Sequence, residues 1–503
     1  MDGRKVIGTL ARRREIEAVL EAMARARTEE DSRRYLEQLA AYGRDVLPVV
    51  VHALETPDPW MVRALGRAVA QLEDRSLAIE ALRRAVLSPQ STDRQRIVAM
   101  VLLDQFLGYP LDDDLFAALG NPAEIAVRGL LRARPEEGAA LRLDYLSILH
   151  TQPYAEILAA IERFEDTGGE RAIEALRFFA LDGREGVAGR ALEALGRLRS
   201  PLALQALLVV APNVSSERRA LVERMYRKLR LSGVEEVPLP PPPEGTRVLL
   251  TPLDGAGARL CLVLFPEPGG YRALHLHLDE EDGIQACFEA FLNERDIPPP
   301  AAPGTVHAAP PPWHGAFFLE SGFAYLQTVL GRLLERNYRR DKPLSVEYRF
   351  YCDGIWGWSV PQEQFPKVTP GRPAPSQTEI AGLLAHPYFL SWFAESPAIV
   401  EAARRLAYAD VSGSVGQAAL AVAVISLLQD EFPPARCRTY ARRLREMAEW
   451  LALAGRNELA AISMAAAEEM DTGLPLRSTF AMTMVQKGLL IALGQFRRER
   501  VSR

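Results

Sequence analysis

The stretch that decides the fold runs from Val46 to Leu72 and reads VLPVVVHALETPDPWMVRALGRAVAQL. Val50 and Leu54 fall on one helical face before a Pro-Asp-Pro turn, and Leu65 and Val69 fall on one helical face after it. The prolines end one helix and start the next. Because a single helical hairpin cannot cover its own apolar faces, the pattern predicts neighbouring hairpins stacked on it in an α-solenoid.

The residues around this turn resemble those of HEAT repeats, of the kind also seen in phycobilisome-lyase-like proteins. The resemblance rests on Asp58, Pro59, Val62 and Arg63, in an Asp/Pro turn followed by Val-Arg. A second segment from Ala172 to Leu198, AIEALRFFALDGREGVAGRALEALGRL, has an Asp-Gly turn and an Ala where the pattern has Arg. The resemblance implies a HEAT-like α-solenoid over residues 1–234. An irregular helical bundle without true repeats is the alternative.

A helical-repeat scaffold that binds a protein partner is the function this fold implies. Its expected working surface is a concave face built by the second helix of each hairpin. The arginines on those helices, which we predict to bind the partner, are Arg63, Arg67, Arg190 and Arg197.

Proline and glycine divide the rest of the chain. Residues 235–245 form a proline-rich linker, and residues 246–360 are predicted to be a small α+β module with a three-stranded antiparallel sheet. Its strands are expected at Arg247–Leu250, Arg259–Phe265 and Arg272–Leu278, joined by turns at Asp-Gly and Pro-Gly-Gly, and a helix is expected at Glu281–Arg295.

The second half of this module and the C-terminus complete the predicted fold, which is mainly α. The proline-dense loop 297–315 is expected to lack regular structure, and Phe317–Tyr338 to form a helix. The segment from Ser345 fits either a strand hairpin or a short helix. A linker at 361–378 precedes a helical domain at 379–503, in which Tyr440–Met470 resembles a tetratricopeptide hairpin through Trp450, Leu451, Gly455 and Ala461.

One segment could carry chemistry, His275-Leu276-His277-Leu278-Asp279. In a strand, the two imidazoles and the carboxylate fall on one face, about 6–7 Å apart along the strand. The alternative function is therefore a metal-dependent hydrolase with His275, His277 and Asp279 as ligands, completed by another group such as His307 or His314. The segment resembles the His-x-His-x-Asp-His signature of metallo-β-lactamase-like hydrolases, but Glu280 replaces the third His. A half-buried strand without a metal is the simpler interpretation, so no cofactor is expected.

Charge and composition narrow the partner class. The chain has 503 residues and a net charge of −5, and residues 1–234 hold 34 basic and 34 acidic side chains. That balance disfavours nucleic acid as the partner, although HEAT-like DNA-repair proteins remain a further alternative. The cysteines form no Cys-x-x-Cys pair, which fits the cytoplasm. The most apolar run, Ala418–Leu428, is too short to span a membrane and is expected to be a buried helix.

Overall fold

A computed structural model describes residues 3–26, 29–56, 58–133, 138–310, 313, 315–360, 368, 374–408 and 413–501. The chain is mainly helical and also contains an antiparallel sheet. It divides into two compact units. The N-terminal unit comprises Met1–Ala180 and Gly189–Leu198, and the C-terminal unit comprises Leu181–Ala188 and Arg199–Arg503. The domain boundary predicted at residue 234 rested on prolines, whereas the division by contacts falls between residues 180 and 199.

Helices α1 to α12 follow one another, and the described residues between them contain no strand. Their bounds are Gly3–Ala24, Glu29–Tyr42, Val46–Ala53, Pro59–Ala70, Arg75–Leu87, Asp93–Val101, Asp113–Leu119, Pro122–Arg132, Gly138–His150, Tyr154–Thr167, Gly169–Ala180 and Glu185–Leu195. A π-helical turn at Leu102–Phe106 continues α6. The principal contacts of α1 to α11 are with helices at most three places away in this order.

The predicted hairpin at residues 46–72 is present as α3 and α4. The side chain of Asp58 accepts a hydrogen bond from the Trp60 N–H at 2.9 Å, and Pro59 occupies the first turn of α4. Both features favour a helix start. Leu65 and Val69 are fully buried in a core that extends from α1 to α7. The helices and their apolar faces are thus confirmed, while their assignment as HEAT repeats stays a prediction.

The C-terminal unit alternates strands and helices. The strands β1 to β6 are Arg247–Leu250, Ala258–Glu267, Gly270–Asp279, Gly283–Asn293, Val306–Ala308 and Phe317–Ser321. The helices α13 to α23 are Pro201–Val210, Ser216–Leu231, Phe323–Arg339, Val346–Tyr351, Asp353–Trp356, Gln377–Gly382, Pro397–Tyr408, Gly413–Glu431, Pro434–Leu453, Asn457–Asp471 and Thr479–Val501. The strands form one antiparallel sheet in the order β4-β3-β2-β1-β6-β5.

The first three strands lie where the sequence places them. The interior strand β2 has buried apolar side chains on both faces, as its LCLVLF run predicts. Asp254 stabilises the turn between β1 and β2, because its carboxylate accepts hydrogen bonds from the N–H groups of Gly257 and Ala258, both at 2.8 Å. Helices α15 and α16 pack on β4, and the indole of Trp450 in α21 donates to the Leu250 carbonyl at 3.1 Å.

The prediction of a three-stranded sheet was wrong. Residues expected in a helix at Glu281–Arg295 form β4, which pairs along β3 across a tight turn at Gly283, where φ is +77°. That Asp-Gly turn is the same signal that predicted the earlier hairpin correctly. The expected helix at Phe317–Tyr338 begins only at Phe323, since Phe317–Ser321 is strand β6. The loop 297–315 contains the short edge strand β5, where flanking prolines are tolerated.

The remaining segments are helical. The segment from Ser345 forms α16 and α17, which settles the open choice in favour of short helices, and α21 and α22 form the expected C-terminal hairpin. Helix α20 contains Ala418–Leu428 but is not fully buried, since 67% of Val422 and 56% of Ile425 are exposed. Taken singly, none of the described helices has the length and apolar character to cross a membrane.

Candidate functional site

The histidines of β3 lie on one face of the sheet, as the period of two predicts, but their surroundings differ. His275 is buried and its ring stacks on Phe288, with centroids 4.6 Å apart and an interplanar angle of 14°. The Trp313 ring also contacts His275, with the ring centroids 5.8 Å apart and an interplanar angle of 30°. Burial lowers the pKa of His275 to about 4, with a smaller contribution from His277. His275 is therefore a neutral side chain at pH 7.

The other two predicted ligands serve different purposes. His277 is exposed and lines a cavity of about 400 Å³ together with Gln285 and Tyr388. The carboxylate of Asp279 accepts hydrogen bonds from the N–H groups of Glu281 and Asp282, at 2.7 and 2.8 Å, and so stabilises the turn into β4.

A complete metal site is not assembled from these residues. Within the described ranges, no group of three or more His, Cys, Asp or Glu side chains is arranged to hold a metal ion. His307 lies in β5, with Nε2 3.7 Å from Oε2 of Glu320, whose carboxylate binds Arg247 at 2.7 and 2.6 Å. His314 lies outside the described residues. The buried Nε2 of His275 has no hydrogen-bond partner among the described residues.

Three of the four predicted partner-binding arginines are engaged within the N-terminal unit. Arg190 and Arg197 both donate to the carboxylate of Glu165, at 2.7 and 3.1 Å. Burial acts to raise the pKa of Glu165, but hydrogen bonds from these two arginines outweigh it and hold the pKa below its usual value. Arg67 donates to the Ser32 hydroxyl at 2.6 Å.

Arg63 differs from the other three arginines. It is exposed on α4, and its guanidinium makes no hydrogen bond or ion pair with any residue that the structure describes. Trp60 stands three positions earlier on the same helix, and 62% of it is exposed. Residues three apart are neighbours on a helix surface. Sequence reasoning missed Trp60, although a Trp directly after a helix-starting Pro is a signal that could have identified it.

The C-terminal unit holds buried ion pairs that sequence reasoning also missed. Asp182, in the Asp-Gly turn of residues 172–198, is buried and accepts a hydrogen bond from Arg349 at 2.8 Å. Glu280, which replaces the third His of the hydrolase signature, is buried and bound by Arg442 and Arg443. Its carboxylate is thus committed to two guanidinium groups rather than to a metal.

Comparison with known proteins yields no family. No protein-family model matches the chain, and no curated protein matches it in sequence. The function is therefore argued from the residues themselves.

Proposed function

We propose that this protein is a non-enzymatic scaffold that binds a protein partner through the Trp60–Arg63 surface of α4. The observation that carries the proposal is the joint exposure of a large aromatic side chain and an arginine without a counter-ion among the described residues. Trp and Arg are the side chains most enriched at the energetic centres of protein interfaces. Both stand on the second helix of the hairpin, as the HEAT resemblance implies for a partner-binding surface.

The chemistry of the surface defines the partner. An unpaired guanidinium attracts a carboxylate, and the indole face offers apolar area beside it. The partner is accordingly an acidic segment that carries an apolar or aromatic side chain. Arg67, Arg190 and Arg197 support the surrounding helices through their internal contacts and are not the main contacts of this surface.

The test is quantitative affinity purification from the native cell with the full chain as bait. Trp60→Ala and Arg63→Glu should each reduce capture of the same protein at least tenfold, since loss of a central interface residue costs about 2 kcal/mol or more. Arg84→Glu is the matched control, because Arg84 is exposed in the next helix and its guanidinium makes a local ion pair with Glu80. Capture that is unchanged in both variants, or equally reduced by the control, would refute the proposal.

A further inference from the structure

A second cavity in the C-terminal unit is lined entirely by charged side chains. Its volume is about 340 Å³. The lining residues are five arginines and three glutamates: Arg332, Arg336, Arg339, Arg340, Arg442, Glu280, Glu281 and Glu335. None of the described residues that line it has an apolar side chain, so its polar contacts all come from charged groups.

The arginines converge because of where they stand in two helices. Arg332, Arg336 and Arg339 occupy one face of α15, at spacings of four and seven residues, and Arg340 directly follows the helix. Arg442 enters from α21. The sequence does not reveal this convergence, because about 100 residues separate the two helices.

The floor of the cavity is fixed by buried ion pairs. Arg443 donates to Oε2 of Glu280 at 2.5 Å, and Arg336 donates to the Glu280 carbonyl at 3.1 Å and to Glu446 at 2.8 Å. Glu446 also binds Arg259. Burial acts to raise the pKa of Glu446, but Arg259 and Arg336 outweigh it and hold the pKa below its usual value. The Glu446 carboxylate therefore stays charged at neutral pH.

The rim of the cavity, formed by Arg339 and Arg340, has longer and more exposed ion pairs than the floor. Arg339 has its nearest carboxylate oxygen, from Glu335, at 3.5 Å, and both side chains are exposed. Arg340 lies 3.7 Å from oxygen atoms of Glu281 and of Asp282. Exposed pairs of this kind contribute about 0–1 kcal/mol, so an incoming anion can replace them at little cost.

We propose that this cavity binds a small polyanion with several phosphoryl groups, independently of the Trp60–Arg63 surface. When the charged groups paired with the lining residues are included, eight positive side chains stand against six carboxylates, which leaves an excess of two positive charges: Arg259, Arg332, Arg336, Arg339, Arg340, Lys342, Arg442 and Arg443 against Glu280, Glu281, Asp282, Glu335, Glu446 and Glu449. A guanidinium binds phosphate oxygens through two parallel hydrogen bonds. The volume is at the lower end of the range for small-molecule sites. Because every lining side chain is charged, the ligand is one whose surface is mostly phosphate oxygen, such as an inorganic polyphosphate.

The test is isothermal titration of the full chain with tripolyphosphate at low salt. The double variant Arg339→Gln/Arg340→Gln should weaken binding at least tenfold. Glu335→Gln removes a competing carboxylate and should tighten binding severalfold. Arg227→Gln is the matched control, because 74% of the Arg227 side chain is exposed against 78% for Arg339, and each pairs with a glutamate four residues earlier.

Several outcomes would overturn the proposal. They are the absence of binding at millimolar tripolyphosphate, an equal loss of affinity in Arg227→Gln, and tighter binding of citrate or of a single-stranded oligonucleotide than of tripolyphosphate. Circular dichroism of each variant, matched to the wild-type spectrum, ensures that loss of binding reflects the cavity and not unfolding. Partner capture through α4 should be unchanged in all of these variants.

Discussion

Replacing Asp182 by alanine should strongly destabilise the C-terminal unit. The Asp182 carboxylate is 1% exposed and accepts hydrogen bonds from Arg349 at 2.8 Å and from the Arg184 side chain at 2.8 and 2.9 Å. The Arg349 side chain is equally buried, and burial lowers its pKa. Without Asp182, a cation stays in the interior without this counter-ion. Removal of one partner from a buried pair costs about 3–5 kcal/mol.

Urea unfolding followed by tryptophan fluorescence measures this effect in the right part of the molecule, since five of the six tryptophans belong to the C-terminal unit. Asp471→Ala is the control, because it breaks an ion pair with Arg445 that is about 40% exposed, for which about 0–1 kcal/mol is expected. The double variant Asp182→Ala/Arg349→Met should recover part of the lost unfolding free energy, because it also removes the buried guanidinium charge. A cost below about 1 kcal/mol for Asp182→Ala would refute the reasoning.

Three further perturbations have defined outcomes. The pKa of His275 is lowered from 6.5 to about 4, so between these pH values the unfolded state binds a proton that the folded state does not. About 3 kcal/mol of stability is therefore lost as pH falls from 6.5 to 4. His275→Phe should reduce this dependence of the unfolding free energy on pH, measured by urea titrations at several pH values. Gly283→Ala should lower stability by about 2–4 kcal/mol in thermal unfolding, because φ is +77° and a Cβ would lie 1.8 Å from Oδ1 of Asn337. The control for Gly283→Ala is Gly331→Ala, which should not be destabilising because a Cβ there meets open space. Asp58→Ala should cost about 1 kcal/mol and speed hydrogen exchange in the first turn of α4.

The helical part of the fold was predictable because its signals are local. Asp58 and Pro59 mark the start of α4, and the spacing of Leu65 and Val69 identifies its buried face. Strands β1 to β3 were predictable for the same reason. Strand β4 was missed because its apolar residues fit the helical period as well as the strand, and pairing with β3 decided the outcome.

The candidate sites were less predictable, because they depend on contacts between distant residues. The alternation of His275 and His277 correctly placed them on one sheet face, but sequence could not show that aromatic rings surround one and that the other is exposed. Asp182 and Arg349 are 167 positions apart, and Glu280 and Arg443 are 163 apart. No periodicity relates such pairs, so only the folded chain reveals which arginines bind internal carboxylates.

The pairing of Asp182 with Arg349 has a consequence during synthesis. Ribosomes add about 5–20 residues per second, so Asp182 is made roughly 10–30 s before its partner. Throughout that interval the Asp182 carboxylate can pair with the neighbouring Arg184 but not with Arg349. The segment 181–188 therefore lacks this buried ion pair until α16 has been synthesised. A chain that pauses or is truncated before Arg349 would leave the Asp182 carboxylate without that partner.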